Sequence, residues 1–184
     1  MWCVLESIAS PGASDADRRK RRRTHELAQR LKDAPGLPTE PTRLAVRVGS
    51  ENFLVEMGMA GEIVPLADIV PVPWTKPWYR GLANVRGRLI GVVDLLQLTG
   101  RDPLPPEQAQ QILVFGEGLS VNAGILITRA FGIRNLKDLT ALPAAGESAA
   151  NWEQVRYRGI DGVAFTELDL RELVRSPAFA VIGV

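Results

Sequence analysis

Hydrophobic and polar positions alternate along most of this chain, in short runs. Leu44, Val46 and Val48 are separated by Ala45 and Arg47, and after Gly49-Ser50-Glu51-Asn52 the period of two resumes at Phe53, Val55 and Met57. Successive side chains on a strand point to opposite faces, so this pattern predicts a hairpin with one buried face. Gly58 and Gly61 predict a bend, and Glu62 to Leu66 a further strand. Ile69-Val70-Pro71-Val72-Pro73-Trp74 is broken by proline, which cannot donate to a sheet ladder, and reads as an edge or wrap-around segment. Ile112 to Phe115 and Val121 to Ile127 predict strands on either side of the turn Gly116-Glu117-Gly118. Trp152 to Tyr157 and Val163 to Phe165 flank the turn at Arg158 to Gly162, and Phe179 to Val184 is expected to end the chain as a strand. Helical spacing is rare: Leu27 and Leu31 behind Thr24, and Leu170, Leu173 and Val174 behind the capping pair Asp169 and Glu172, closed by Pro177. Short strands with glycine turns and no long crossover helices predict a mostly β chain of small barrels rather than a parallel α/β sheet. No repeat of solenoid length is visible.

The strongest local pattern runs from Trp78 to Leu96. A Trp78-Tyr79 pair leads into a turn marked by Gly81, Asn84 and Gly87, residue types that tolerate unusual backbone angles. The apolar run Leu89 to Val93 reads as a buried strand, and Asp94 ends it and can cap the next element. Arg86 sits between turn and strand. On the pattern alone, a tight hairpin carrying a surface arginine accounts for this stretch as well as a functional site does.

Composition narrows the choice. The chain has 184 residues, 46% of them hydrophobic, and a formal net charge of +1. That suits one globular domain, with room for two small cores, and argues against general nucleic-acid binding, which leaves a strongly basic domain. The single cysteine, Cys3, excludes a disulfide framework and fits a reducing, cytoplasmic setting. No apolar stretch is long enough to span a membrane, and the first residues make a poor signal peptide. Residues 1–23 read as a disordered basic tail ending in the six positive charges Arg18 to Arg23; residues 24–41 as a short helix over His25 to Asp33 and a Pro-rich linker; residues 42–184 as the folded domain.

Catalytic parts are scarce. His25 is the only histidine and lies beside the basic run, so Ser-His, Cys-His and His-metal arrangements are nearly excluded. Asp94, Asp161 and Asp169 each sit where a turn or cap explains them. No catalytic residue, metal site or cofactor is expected, and the chain reads as a binding module rather than an enzyme. Trp74, Trp78 and Tyr79 lie next to Arg80, Arg86 and Arg88, and Trp, Tyr and Arg are enriched at interface hot spots. At least one tryptophan should pack inside.

Gly81-Leu82-Ala83-Asn84-Val85-Arg86-Gly87, followed by Leu89-Ile90-Gly91-Val92-Val93-Asp94-Leu95, resembles the signature of CheW-like coupling adaptors, a Gly-x-x-Asn-x-Arg-Gly turn before an apolar strand closed by Asp-Leu. Phe53-Leu54-Val55 is similar to the family's early hairpin, Glu62-Ile63-Val64 to its Glu-Ile pair, and Gly124 to Ile127 with Gly132-Ile133 to its second-barrel strands. Leu27 and Leu31 before Gly36-Leu37-Pro38, Pro77-Trp78, Phe165 to Leu170 and Pro177-Ala178-Phe179 are similar to the twitching-motility, PilI-type branch. Gly91 departs from the family's usual proline, which predicts a less rigid strand there, and Thr128 stands where an Asp is common.

The resemblance implies two five-stranded SH3-like barrels with short helices and no enzymatic activity. It implies a cytoplasmic adaptor, recruited to membrane-associated chemoreceptor arrays without inserting into the membrane. Its partners would be the cytoplasmic tip of a methyl-accepting chemoreceptor, in the groove between the barrels, and the regulatory domain of a CheA-type histidine kinase, barrel to barrel. Arg86, Asn84, Val85, Gly87, Arg88 and Trp78 are the expected partner-binding residues, with Gly81, Asp94 and Leu95 holding the motif at the junction of the barrels. The output would be type IV pilus twitching or, alternatively, flagellar chemotaxis. The rival from another class is a β-barrel nucleic-acid binder using Arg18 to Arg23 as an arm. A gel shift at two salt concentrations separates them: the adaptor reading expects no salt-sensitive complex, whereas phosphate contacts would give one.

Overall fold

The computed structural model describes residues 41–142 and 151–184. The basic run, the expected helix over His25 to Asp33 and most of the linker lie outside the described residues, as does Pro143 to Ala150. The described residues belong to a single compact unit.

Twelve strands carry this unit. They are β1 Thr42–Val48, β2 Glu51–Glu56, β3 Ala60–Pro65, β4 Ile69–Val70, β5 Tyr79–Val85, β6 Arg88–Val93, β7 Gln111–Phe115, β8 Ala123–Ile127, β9 Arg129–Asn135, β10 Leu139–Leu142, β11 Glu153–Gly159 and β12 Ala164–Leu168. Short helices α1 (Leu95–Leu98), α2 (Leu170–Arg175) and α3 (Pro177–Ala180) come after β6 and β12.

The strands form two six-stranded sheets, ordered β3-β7-β8-β6-β5-β4 and β10-β11-β12-β2-β1-β9. In each sheet the two edge strands are consecutive in the chain. Only residues 66–68 separate β3 from β4, and only Leu136–Asp138 separates β9 from β10. So short a link spans no more than roughly 15 Å, which brings the two edges of each sheet together. Each sheet is therefore a small barrel closed by one bent strand that pairs at both edges. Counted that way, each has the five strands that the resemblance implied. Barrel 1 is β3–β8; barrel 2 is β1, β2 and β9–β12.

This assignment separates strands that the sequence resemblance placed together. Gly124 to Ile127 lies in barrel 1, whereas Gly132-Ile133 lies on β9 of barrel 2. The reason is an exchange of hairpins between two internal repeats. β1–β6 and β7–β12 share the same plan, and each repeat contributes its first hairpin to the barrel made by the last four strands of the other. In both barrels the contributed hairpin joins through a parallel pair, β2 with β12 and β8 with β6. The repeats share few residues, spaced 75 apart: Gly87 and Gly162, Asp94 and Asp169, Leu95 and Leu170, Leu98 and Leu173.

Exchange explains the core. Leu44 to Val46 and Phe53 to Val55 are buried on consecutive positions, where the alternation predicted one buried face. Ala45 and Leu54 fill barrel 2 with Phe165, while Leu44, Val46, Phe53 and Val55 join the larger cluster shared with Ile112, Leu113 and Ile125 of barrel 1. The hairpin has apolar partners on both faces.

Two ionic elements fix the junction. Asp94, fully buried, N-caps α1 by accepting from the Gln97 amide at 3.2 Å, and its second oxygen accepts from the Leu104 amide at 2.8 Å. Arg101, beyond α1, donates to Glu51 at 2.9 Å and to both oxygens of Glu153 at 2.6 Å, reaching β2 and β11 of barrel 2.

The chain end differs from its expected strand. Ser176 accepts from the Phe179 amide and Pro177 occupies the first turn, so Pro177–Ala180 is helical. Only a single bridge, Gly183 to Thr75, has β character there.

Gly81 is not part of the turn. It lies within β5 at a register shift, with φ +132°, and a side chain there would overlap the Val70 backbone of β4. Gly81→Ala should therefore destabilise the fold by more than the ~1 kcal/mol typical of a point substitution, read from denaturant midpoints. Truncating Ile90, which is fully buried, should cost ~2–5 kcal/mol, whereas Leu89→Ala next to it should be nearly silent. Equal losses would refute the facing of β6. Asp94→Ala strands the buried Leu104 amide at ~1–3 kcal/mol and also removes the α1 cap, so it should cost more than Asp169→Ala, a cap on a half-buried helix end worth ~0.5–2 kcal/mol.

Candidate partner-binding surfaces

The hairpin β5–β6 turns on two residues, Arg86 and Gly87, since Val85 pairs with Arg88. Both have positive φ, 50° and 84°. Two-residue turns of this kind match the twist of the flanking strands and require that conformation at both positions. Glycine adopts it freely; arginine does so at some steric cost. Asn84 steadies the turn by accepting from the Gly87 amide at 2.9 Å. Arg86 projects outward with 79% of its side chain exposed, and its Nε lies 3.2 Å from Glu62 on β3. A pair so exposed contributes little stability, so the constraint on Arg86 comes from the backbone.

The six expected contact residues divide between surface and core. Asn84, Arg86, Gly87 and Arg88 are exposed together at the hairpin tip. Val85 is 6% exposed and Trp78 7%, both in the main core: Val85 points inward from β5, and Trp78, in the turn before it, packs against Phe179. Of the motif residues, Gly81 admits β4, Asp94 holds the α1 junction and Leu95 is fully buried. The apolar run read as wholly buried begins outside: Leu89 is 61% exposed, and burial is continuous only from Ile90. Leu89 thus extends the tip with an apolar side chain.

The aromatic cluster also divides. Trp78 stacks on Phe179 at 6.1 Å and meets Tyr79 edge-on at 6.2 Å. Trp74 is 85% exposed, with φ 60°. Its carbonyl accepts from the Val184 amide at 3.1 Å, so the chain end holds this loop.

Beside Trp78 lies an open apolar groove of about 300 Å³. Its floor is Tyr79, Gly91 and Val121 of barrel 1, and its wall is Val174, Phe179 and Ile182 from α2, α3 and the chain end. Gly91 makes room for it. A side chain there would come within 3.0 Å of the Tyr79 ring, and the Gly91 amide donates to Asn122 at 2.9 Å, a bond proline could not make. The space beside Gly91 is thus occupied by the Tyr79 ring. Burial pushes the Tyr79 phenol above its ordinary 10.0, so it stays neutral at the groove and able to donate. The groove was not legible in sequence, since its wall comes from a segment read as a strand.

The described residues hold no cluster of three or more His, Cys, Asp and Glu suited to a metal ion. Asp94 is the buried charged residue among them, and both its oxygens are occupied by backbone amides. No helix among the described residues is long and apolar enough to cross a membrane.

Comparison with known proteins agrees with this architecture. The family profile described as "CheW-like domain" matches residues 43–177. Protein PilI of Pseudomonas aeruginosa is 32% identical over 108 residues, 55% of this chain and 60% of that protein. The chain therefore matches less than two thirds of PilI's length. Chemotaxis protein CheW of Thermotoga maritima is 30% identical over 118 residues, 62% of this chain and 72% of that protein. The crystal structure of the scaffolding protein TtCheW from Thermoanaerobacter tengcongensis superposes with a TM-score of 0.62 at 16% identity, covering 76% of this chain and 96% of that one, a likeness of fold. With two interlocked barrels, the Asn84 to Gly87 turn and a profile match across most of its length, the chain belongs to the CheW-like domain family.

Proposed function

We propose that this chain is a non-enzymatic coupling adaptor that binds the cytoplasmic tip of a methyl-accepting chemoreceptor and the regulatory domain of a CheA-type histidine kinase. The observation that carries the reading is the open apolar groove beside the Arg86 hairpin in a protein of this family. An amphipathic helix seats its apolar face in such a groove, and a receptor tip is helical. The resemblance implies a receptor groove between the barrels; the groove proposed for that role runs along barrel 1 and is walled by the segment that leaves barrel 2. The hairpin tip, with Arg86, Arg88 and Leu89, is the proposed kinase contact. The protein acts in the cytoplasm, at chemoreceptor arrays.

Its mechanism is coupling without turnover. Each partner favours one arrangement of the other, and the interlocked barrels hold the two surfaces in fixed relation. Individual contacts are modest and the array supplies avidity. The match to PilI favours control of type IV pilus twitching; flagellar chemotaxis is the alternative, since CheW proteins match as well. None of the matches supports the nucleic-acid reading.

Two variants separate the surfaces. Ala180→Trp, which narrows the groove from its exposed wall, should weaken binding of a receptor tip fragment about tenfold and leave kinase binding unchanged. Arg86→Glu should cost about 2 kcal/mol of kinase binding. Unchanged affinity of both variants for both partners, measured by pull-down and titration calorimetry, would refute the reading.

A further inference from the structure

On barrel 2, strands β1 and β9 oppose like charges twice. Arg43 pairs with Arg134 across the ladder, and Arg47 with Arg129. Like charges directly opposite are destabilising unless something neutralises them. The first pair is neutralised from within: Glu167 lies 2.7 Å from Arg43, and Asp161 lies 3.9 Å from Arg134. The second is not. Among the described residues neither Arg47 nor Arg129 has a carboxylate within 4.0 Å.

Both guanidinium groups instead lie over one ring. Arg47 is 5.1 Å and Arg129 4.5 Å from the centroid of Phe131. The ring is half-buried against the inner cluster of barrel 2, so it is a fixed platform. Arg47 is also oriented from below: its Nε donates to Asn52 at 3.1 Å, and Asn52 donates onward to the Ala164 carbonyl at 3.2 Å. Among the described residues, the terminal N–H groups of Arg47 and the N–H groups of Arg129 have no hydrogen-bond partner, and guanidinium N–H groups fit a carboxylate with two parallel bonds.

We propose that Arg47, Phe131 and Arg129 form a docking site for an acidic segment of a partner protein, whose carboxylates supply the counter-charge that the fold supplies at Arg43 and Arg134. The occupant is a protein carboxylate rather than a nucleic-acid backbone. Phosphate tracking needs an extended basic field, and here the two cations stand on a chain of net charge +1. The site lies on barrel 2, shares no residue with the groove of barrel 1, and is independent of the adaptor reading.

The test uses the full-length chain with Arg18 to Arg23 replaced by serine, so that the basic tail does not compete. Fluorescence anisotropy monitors binding of a labelled peptide of alternating Glu and Ala, with a single-stranded oligonucleotide in parallel. Saturable, salt-sensitive peptide binding is expected, weakened about tenfold or more by Arg129→Glu. The melting temperature of that variant should be unchanged or higher, because the substitution relieves a like-charge pair; a merely structural arginine would lower it on removal. Phe131→Leu should weaken binding too, by removing the platform. No saturable peptide binding, equal binding by Arg129→Glu, a lowered melting temperature in that variant, or preferential binding of the oligonucleotide would each overturn the proposal.

Discussion

The fold turns on one buried carboxylate. Among the described residues Asp94 has no cation beside it, and its carboxylate accepts from two backbone amides, at Gln97 and Leu104. Its own amide donates to the Trp78 carbonyl at 2.8 Å, and its carbonyl accepts from Leu98 at 3.0 Å. Four segments meet there: the start of β5, the end of β6, α1 and the loop beyond it. A buried charge is tolerated only when it is hydrogen-bonded in this way, so the arrangement admits few alternatives. Downstream, Leu96 and Leu104 reach the β1–β2 turn at Gly49, where a side chain would come within 3.2 Å of Leu96. Through that contact and Arg101, one carboxylate sets how barrel 1 meets barrel 2.

The second repeat uses the same device with less burial. Asp169 caps α2, and its amide donates to the Trp152 carbonyl at 2.8 Å, as Asp94 does to Trp78. Tryptophan carbonyl, aspartate cap and a leucine helix thus recur at the end of both barrels. The two differ in the path the chain takes next. After Asp94 the chain returns to barrel 1 at β7, and after Asp169 it crosses to barrel 1, where Phe179 stacks on Trp78. Exchange of hairpins at one end and this crossing at the other mean that neither barrel can form its full core alone. The adaptor role proposed above would gain from that: displacement at one surface could not be absorbed by sliding between independent domains.

Much of this was legible in the sequence. The period of two at Leu44 to Val48 and Phe53 to Val55, the proline-broken edge at Ile69 to Val70 and the cap at Asp94 all arise from local chemistry, and the structure contains them. Missing were the features set by partners distant in sequence. Alternation could not show that β1 and β2 are covered on both faces, because the second cover is contributed by the other repeat. Local apolarity could not distinguish Leu89 from Ile90; pairing and facing do. Phe179 to Val184 read as a strand on its apolar content, while Ser176 and Pro177 start a helix there. The repeat itself is faint in the sequence because it survives in only a few positions. Of the candidate surface, the Arg86 turn was readable from its glycine and asparagine. The groove was not, since it exists only once the chain end has packed on Gly91 and Tyr79.

The repeat also relates the two hairpin tips to each other. Gly87 and Gly162 occupy equivalent turns, so Arg86 is matched by Asp161 at the tip of β11–β12. Each tip residue pairs with an opposite charge on the neighbouring bent strand: Arg86 with Glu62 on β3, and Asp161 with Arg134 on β9. Hairpin and strand therefore carry the same ion pair with its polarity reversed. The apolar residues differ too, Leu89 at one tip, Ile133 and Ile160 at the other. A surface complementary to one tip places like charge against the other, which costs energy unless the partner is changed to suit. Two barrels with one plan thus present two hairpin tips of opposite polarity, which do not substitute for each other.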